Sequence, residues 1–165
     1  MTRIINFFGA PKSRKTTAMA EAFVCAKKKG FSAHFVQEYA SELILQGDLE
    51  TPKDQKKLFA EQLRRIKQAD TKTDFVMVDF SLLSNIVYHR YRQNNPNLTF
   101  EQEVLKAHES FNSTNVLLKY NPKYDTSKGR LTSQEESFVI EKKIKDLLQV
   151  FRLSKWTALM NLKIV

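Results

Sequence analysis

Short apolar runs alternate along this chain with stretches whose apolar residues recur every three or four positions. Ile4 to Phe8 is the first run, and it stops at Gly9. Phe31 to Val36 is the second, Asp74 to Val78 the third, ending at the Asp79 carboxylate, and Asn115 to Lys119 the fourth. Runs of this length bounded by polar residues read as buried strands. Between them the helical spacing takes over. Thr16 to Lys29 places Ala18, Ala22, Cys25 and Ala26 on one side, with Lys27-Lys28-Lys29 at the negative helix end and Gly30 as the stop. Thr51 caps a long helix with Pro52 in its first turn, and Phe59, Leu63 and Ile66 mark its buried face. Ser81 opens another through Leu83, Ile86 and Val87. Thr99-Phe100-Glu101-Gln102 is a capping-box pattern for the next, and Ser133-Gln134-Glu135-Glu136 caps a helix to about Leu153. Leu162 to Val165 is expected as a last short strand.

Strands alternating with helices predict an α/β fold, a parallel sheet of about five strands with helices on both faces. Ligands of such sheets bind beyond the C-terminal strand ends. Polar chemistry collects at those ends: the segment after Gly9, Glu38 after the second strand, Asp79 after the third, and Lys123 to Arg130 after the fourth.

The segment Gly9-Ala10-Pro11-Lys12-Ser13-Arg14-Lys15-Thr16-Thr17 follows the phosphate-binding spacing G-x-x-x-x-G-K-[ST], with Lys15 as the lysine and Thr16 as the hydroxyl. Backbone N–H groups of such a loop wrap a phosphate, and the next helix aims its positive end at the same anion. Arg14 stands where the second glycine belongs, and Lys12 holds a place that is often glycine too. A Cβ there either obstructs the nest or brings an added cation to it.

Composition narrows the picture only in part. With 165 residues and 42% hydrophobic content, one domain over residues 1–165 with a proper core is expected. No apolar run is long enough to span a membrane, and Met1 opens no signal-peptide pattern. Cys25 is the single cysteine, read as a small buried apolar residue. Its solitude excludes an internal disulfide and fits the cytoplasm. His34, His89 and His108 are scattered without zinc spacing. The net charge of +9 favours polyanionic partners, nucleotide or nucleic acid, although Lys56-Lys57, Arg64-Arg65 and Lys142-Lys143 also read as solvated helix faces.

The loop Gly9–Thr17, the strand end Glu38-Tyr39-Ala40-Ser41-Glu42, the strand end Asp79 and the stretch Tyr124-Asp125…Gly129-Arg130 together resemble P-loop kinases of the nucleoside and nucleotide kinase group. Within that group the chain is similar to the small ATPase/kinase-like proteins related to nicotinamide riboside kinase, many of them phage-carried. The resemblance spans Ile4 to about Leu148 and implies a three-layer P-loop NTPase fold binding ATP and Mg²⁺. It implies that Lys15 contacts the transferring phosphate and that Thr16 and Asp79 serve the metal. Glu38 would engage an acceptor hydroxyl or act as base, and Arg130 would sit in a lid-like segment, about 121–132, over the phosphates. Arg90 and Arg92 are candidates for a substrate phosphate. Phe80 follows Asp79 where nucleotide kinases often carry arginine, which counts against a monophosphate acceptor.

The leading expectation is transfer of the ATP γ-phosphate to a small nucleoside- or nucleotide-like acceptor. The alternative is a catalytically inactive P-loop protein, altered at Lys12 and Arg14, that binds nucleic acid or a host protein through its basic charge. Oligomeric state is open in both.

Overall fold

The computed structural model describes residues 1–11, 13–93, 96–119 and 133–150. Four parallel strands, β1 (Arg3–Phe8), β2 (Ala33–Val36), β3 (Phe75–Val78) and β4 (Ser113–Leu117), form one sheet in the order β2-β3-β1-β4. That is the expected parallel α/β sheet, with four strands among the described residues. Leu162–Val165 lies outside them.

The period of two along β1 sorts its side chains between two layers. Ile4 and Phe8 join Val36, Val76 and Val78 in a large core shared with Phe59, Ile66, Leu83, Ile86, Val104 and Ile144. Ile5 and Phe7 point the other way, into a smaller core with Met77, Met19 and Ala26. Helix α1 (Lys15–Lys28) therefore covers one face. Helices α3 (Gln55–Ala69), α4 (Ser84–Arg92), α5 (Leu98–Glu109) and α6 (Gln134–Val150) build the other. Phe8, Ile66 and Ile86 are almost fully buried, and burial of this kind stabilises by about 1.5–3 kcal/mol per side chain. Asn6, also inside, is satisfied by donating its Nδ2 to Asn115 Oδ1 at 2.9 Å across β1 and β4.

Several boundaries move from the sequence expectation, each for a local reason. Phe31 precedes β2 rather than starting it, and packs edge-on against Phe75 with ring centroids 5.3 Å apart. Thr51 does not cap the long helix. Thr51–Lys53 is a 3₁₀ turn held by Asp48, whose Oδ1 accepts from Glu50 N and Thr51 N, and Asp54 caps α3 by accepting from Lys56 N and Lys57 N. Thr99 yields likewise to Asn97, whose side chain accepts from Phe100 N at 3.0 Å. The Ser133 capping box does form: Ser133 Oγ accepts from Glu136 N and the Glu136 carboxylate accepts from Ser133 N. A helix the pattern did not announce, α2 (Tyr39–Leu45), follows β2 directly. Cys25 is half-buried on α1 rather than buried, and the buried residues of that helix are Met19 and Ala26.

Candidate phosphate-binding loop and adjoining cleft

The turn between β1 and α1 occupies the C-terminal edge of the sheet. Gly9 is needed there for space: a Cβ would lie 2.2 Å from Ser13 Oγ and 3.1 Å from the Leu118 carbonyl oxygen. Ser13 N donates to Ala10 O at 3.2 Å, closing the turn, and Ala10 is fully buried. Arg14 has φ 64° and ψ 29°, the left-handed conformation that glycine adopts without cost. The substitution thus changes the side chain at this position while the backbone keeps a glycine-like form. The Arg14 side chain is exposed, and its carbonyl accepts from Ala18 N to begin α1. Pro11 is half-buried, and Thr17 lies in the first turn of α1. Lys12 lies outside the described residues.

Lys15 folds back over the loop, its Nζ donating to the carbonyls of Gly9 at 3.0 Å and Ala10 at 3.5 Å. Thr16 Oγ1 donates to Asp79 Oδ2 at 2.7 Å. Asp79, at the end of β3, is 4% exposed, and its second oxygen, Oδ1, is buried without a hydrogen-bond partner. Ser13 Oγ is buried and unpartnered as well. Leaving such atoms unsatisfied costs about 1–3 kcal/mol each, more for a charged group. A carboxylate oxygen with open capacity beside a threonine hydroxyl is a donor set suited to a hard cation that takes its remaining ligands from phosphate and water. Among the described residues no three His, Cys, Asp or Glu side chains converge as a self-sufficient metal cage.

Glu38 follows β2 by two residues and stands at the N-terminus of α2, where its Oε2 accepts from Ser41 Oγ at 3.2 Å. It lines a small cleft, about 40 Å³, with Tyr39, Pro52, Gln55, Gln62, Phe80, Tyr88 and Arg92. Burial, with the neighbouring Glu38 carboxylate, pushes the Tyr88 hydroxyl above its ordinary pKa, so it stays a neutral donor. Phe80, the residue after Asp79, packs on Tyr88 with centroids 5.5 Å apart. The two strand ends therefore place the Asp79 carboxylate and the Glu38 cleft on adjoining parts of one edge.

Of the basic candidates, Arg90 turns away to a two-bond ion pair with Glu101, at 2.7 and 2.6 Å. Arg92 reaches the cleft, where its Nη1 donates to the Pro52 carbonyl. Arg130 and the stretch around Tyr124 and Asp125 lie outside the described residues. Sequence reasoning does not find Gln55 and Gln62 as site residues. Both sit on α3 where polar residues are ordinarily solvated, and only the packing of α3 against Phe80 and Pro52 makes them a wall.

A phosphate-binding loop between a central parallel strand and its helix, with a carboxylate at the neighbouring strand end, defines a kinase-like P-loop NTPase fold. A family model described as "AAA domain" matches residues 4–158, and the chain belongs to that family. Among solved structures, deoxyadenosine kinase from M. mycoides with dCMP and dCDP bound is similar with a TM-score of 0.58 and 18% identity, over 89% of this chain and 84% of that one. A Mycobacterium tuberculosis APS kinase variant matches with a TM-score of 0.41 and 21% identity, over 90% of this chain and 97% of that one. No curated protein matches the sequence. At such identities the first likeness is one of fold. Among the described residues no helix is long and apolar enough to cross a membrane.

Proposed function

We propose that the chain is a P-loop phosphotransferase that moves the γ-phosphate of ATP to a hydroxyl of a small nucleoside- or nucleotide-like acceptor. The observation that carries this is the Thr16–Asp79 pair, with Asp79 Oδ1 buried and unpartnered beside it. The backbone of Gly9–Thr17 would cradle the phosphates, and Lys15 would exchange its two carbonyl partners for phosphate oxygens. Thr16 and Asp79 would hold Mg²⁺, which supplies neutralisation of phosphate charge when bound.

The acceptor would enter the cleft beside Glu38. That carboxylate can orient the attacking hydroxyl and take its proton, while Phe80, Leu58 and Tyr88 keep water from the reacting oxygen. Catalysis would then rest on position and on the Lys15 cation, with Arg130, after β4 in sequence, proposed as a second.

Isothermal titration with ATP and Mg²⁺ tests the reading. The wild type is expected to bind saturably, and Lys15→Ala to weaken binding by about tenfold or more, the loss of a charge-assisted phosphate contact. No binding by the wild type, with binding gained in Arg14→Gly, would overturn the reading and turn the search to nucleic-acid or protein partners.

A further inference from the structure

Strand β2 ends the sheet, with β3 on one side and no strand on the other among the described residues. Phe75 N and Asp79 N donate to the Ser32 and Val36 carbonyls. In a parallel pair alternate residues face the neighbour, so Ala33 and Phe35 turn their N–H and C=O groups outward. A groove of about 560 Å³ follows this edge, between residues 34–37 and the C-terminal half of α3. An unpaired edge of this kind is a template for another extended chain.

The two sides of the edge differ in chemistry. Val36 packs into the large core, and His34, two residues back, shares its side with exposed Gln68 and Lys72. Glu42 is the one carboxylate among the described lining residues, and both of its oxygens accept from Arg65. Lys72 makes no ion pair among the described residues. On the other side Phe31 and Phe35 are each 45% exposed. Phe35 meets the Phe23 ring edge-on at 5.2 Å, and Lys27 Nζ lies 5.9 Å from the centroid of that ring. An added strand therefore turns every second side chain to a basic, polar wall and the others to aromatic rings.

We propose that β2 is a docking edge for an extended segment of a partner protein in which acidic and apolar side chains alternate. The outward main-chain groups of Ala33 and Phe35 supply the pairing. Lys72 and His34 meet the carboxylates, and Phe31 and Phe35 meet the apolar side chains. A phosphate backbone carries only acceptors and leaves the Ala33 and Phe35 carbonyls unmatched. A second copy of the chain fits less well. Each copy has a net charge of +9 and brings its own Lys27 and Lys72 to the shared edge.

Fluorescence anisotropy of the full chain with three labelled octapeptides tests this. One alternates Glu and Val, one has the same composition in two blocks, and one alternates Lys and Val. The alternating acidic peptide is expected to bind about tenfold more tightly than either of the others. Its binding should slow amide hydrogen exchange at Ala33 and Phe35 by about tenfold or more. Lys72→Glu, at an exposed position, should weaken it by about threefold or more. Equal binding of the acidic pair, equal binding of the acidic and basic alternating peptides, or no binding overturns the proposal. So does unchanged exchange at the two amides, or unchanged affinity in Lys72→Glu. Amides already protected in the free chain would give the edge to the chain's own residues. Protection that rises with protein concentration, beside a dimer in sedimentation, would give it to a second copy, and either result also overturns the proposal. The peptide series with wild type decides the matter even where the variant does not fold.

Discussion

Two polar clusters in this molecule make opposite use of their charges. On α2 and α3, Arg65 donates to both oxygens of Glu42 and to Glu61, Arg64 grips Glu61 with two bonds, and the Arg65 guanidinium lies 4.7 Å from the Tyr39 ring centroid. Hydrogen bonds from Arg64 and Arg65 hold the Glu61 carboxyl down to about 2. Each group there has its partner within the chain. The loop and cleft are built differently. Of the five buried side-chain atoms without a partner among the described residues, Ser13 Oγ, Asp79 Oδ1 and Gln55 Oε1 belong to them, the others being Asn85 Oδ1 and His89 Nε2 on α4. A satisfied cluster stabilises, whereas an orphaned one carries a cost that a bound cation or ligand would offset. The contrast separates structural from functional polarity more sharply than residue type does, since both clusters are carboxylates beside donors.

The largest effect that sharpens this contrast is expected at Asp79. Asp79→Asn should lower phosphoryl transfer by roughly 10²–10³-fold, because a charged ligand is lost where charge develops. Stability should change little, since the buried negative charge is removed and the amide oxygen still accepts from Thr16 Oγ1, while the amide nitrogen takes the unpartnered place of Oδ1. Turnover with thermal unfolding of the same preparation checks both halves. A large drop in melting temperature would place Asp79 with the structural cluster instead.

The parallel β1-loop-α1 unit, the Asp79 strand end and the buried face of α3 were legible because each is written locally, in period or spacing. Met19 escaped because α1 is only weakly amphipathic, and α2 escaped because its seven residues, Tyr39 to Leu45, carry no cap signal strong enough to separate them from a strand end. Thr51, with Pro52 behind it, reads in sequence as the cap of α3, whereas in the fold Asp48 accepts from Thr51 N and the cap falls to Asp54. Gln55 could not be found in sequence at all. Its isolation is a property of three elements meeting, the Pro52 turn, α3 and the Phe80 strand end, and no local pattern records it.

A middle-sized effect tests the satisfied cluster. Glu61, with a folded value near 2 against an ordinary 4.5, contributes stability that is fully present above about pH 4.5 and lost as pH falls towards 2. Glu42 is shifted the same way by Arg65. Arg65→Met should therefore cost about 1–2 kcal/mol at pH 7, the gain being screened at a cluster still partly exposed, and little or nothing at pH 2. Urea midpoints of wild type and variant at pH 7 and near pH 2 measure the difference. Equal midpoints at neutral pH would mean that the network contributes nothing net, and the contrast with Asp79 would lose its structural half.

The smallest effect is the most informative about the loop. Arg14 is held left-handed, which costs an L-residue about 1–2 kcal/mol, whereas glycine takes the conformation freely but loses roughly 0.5–1 kcal/mol more entropy on folding. Arg14→Gly should thus stabilise the chain by under about 1 kcal/mol, with ATP affinity retained or improved. A urea midpoint that moves upward slightly, beside unchanged nucleotide binding, would make the arginine a tolerated occupant of a glycine position. A midpoint that falls by about 1 kcal/mol or more would show that contacts of the Arg14 side chain hold the loop closed. The loop would then belong with the satisfied cluster, and its unpartnered oxygens at Ser13 and Asp79 would need another account.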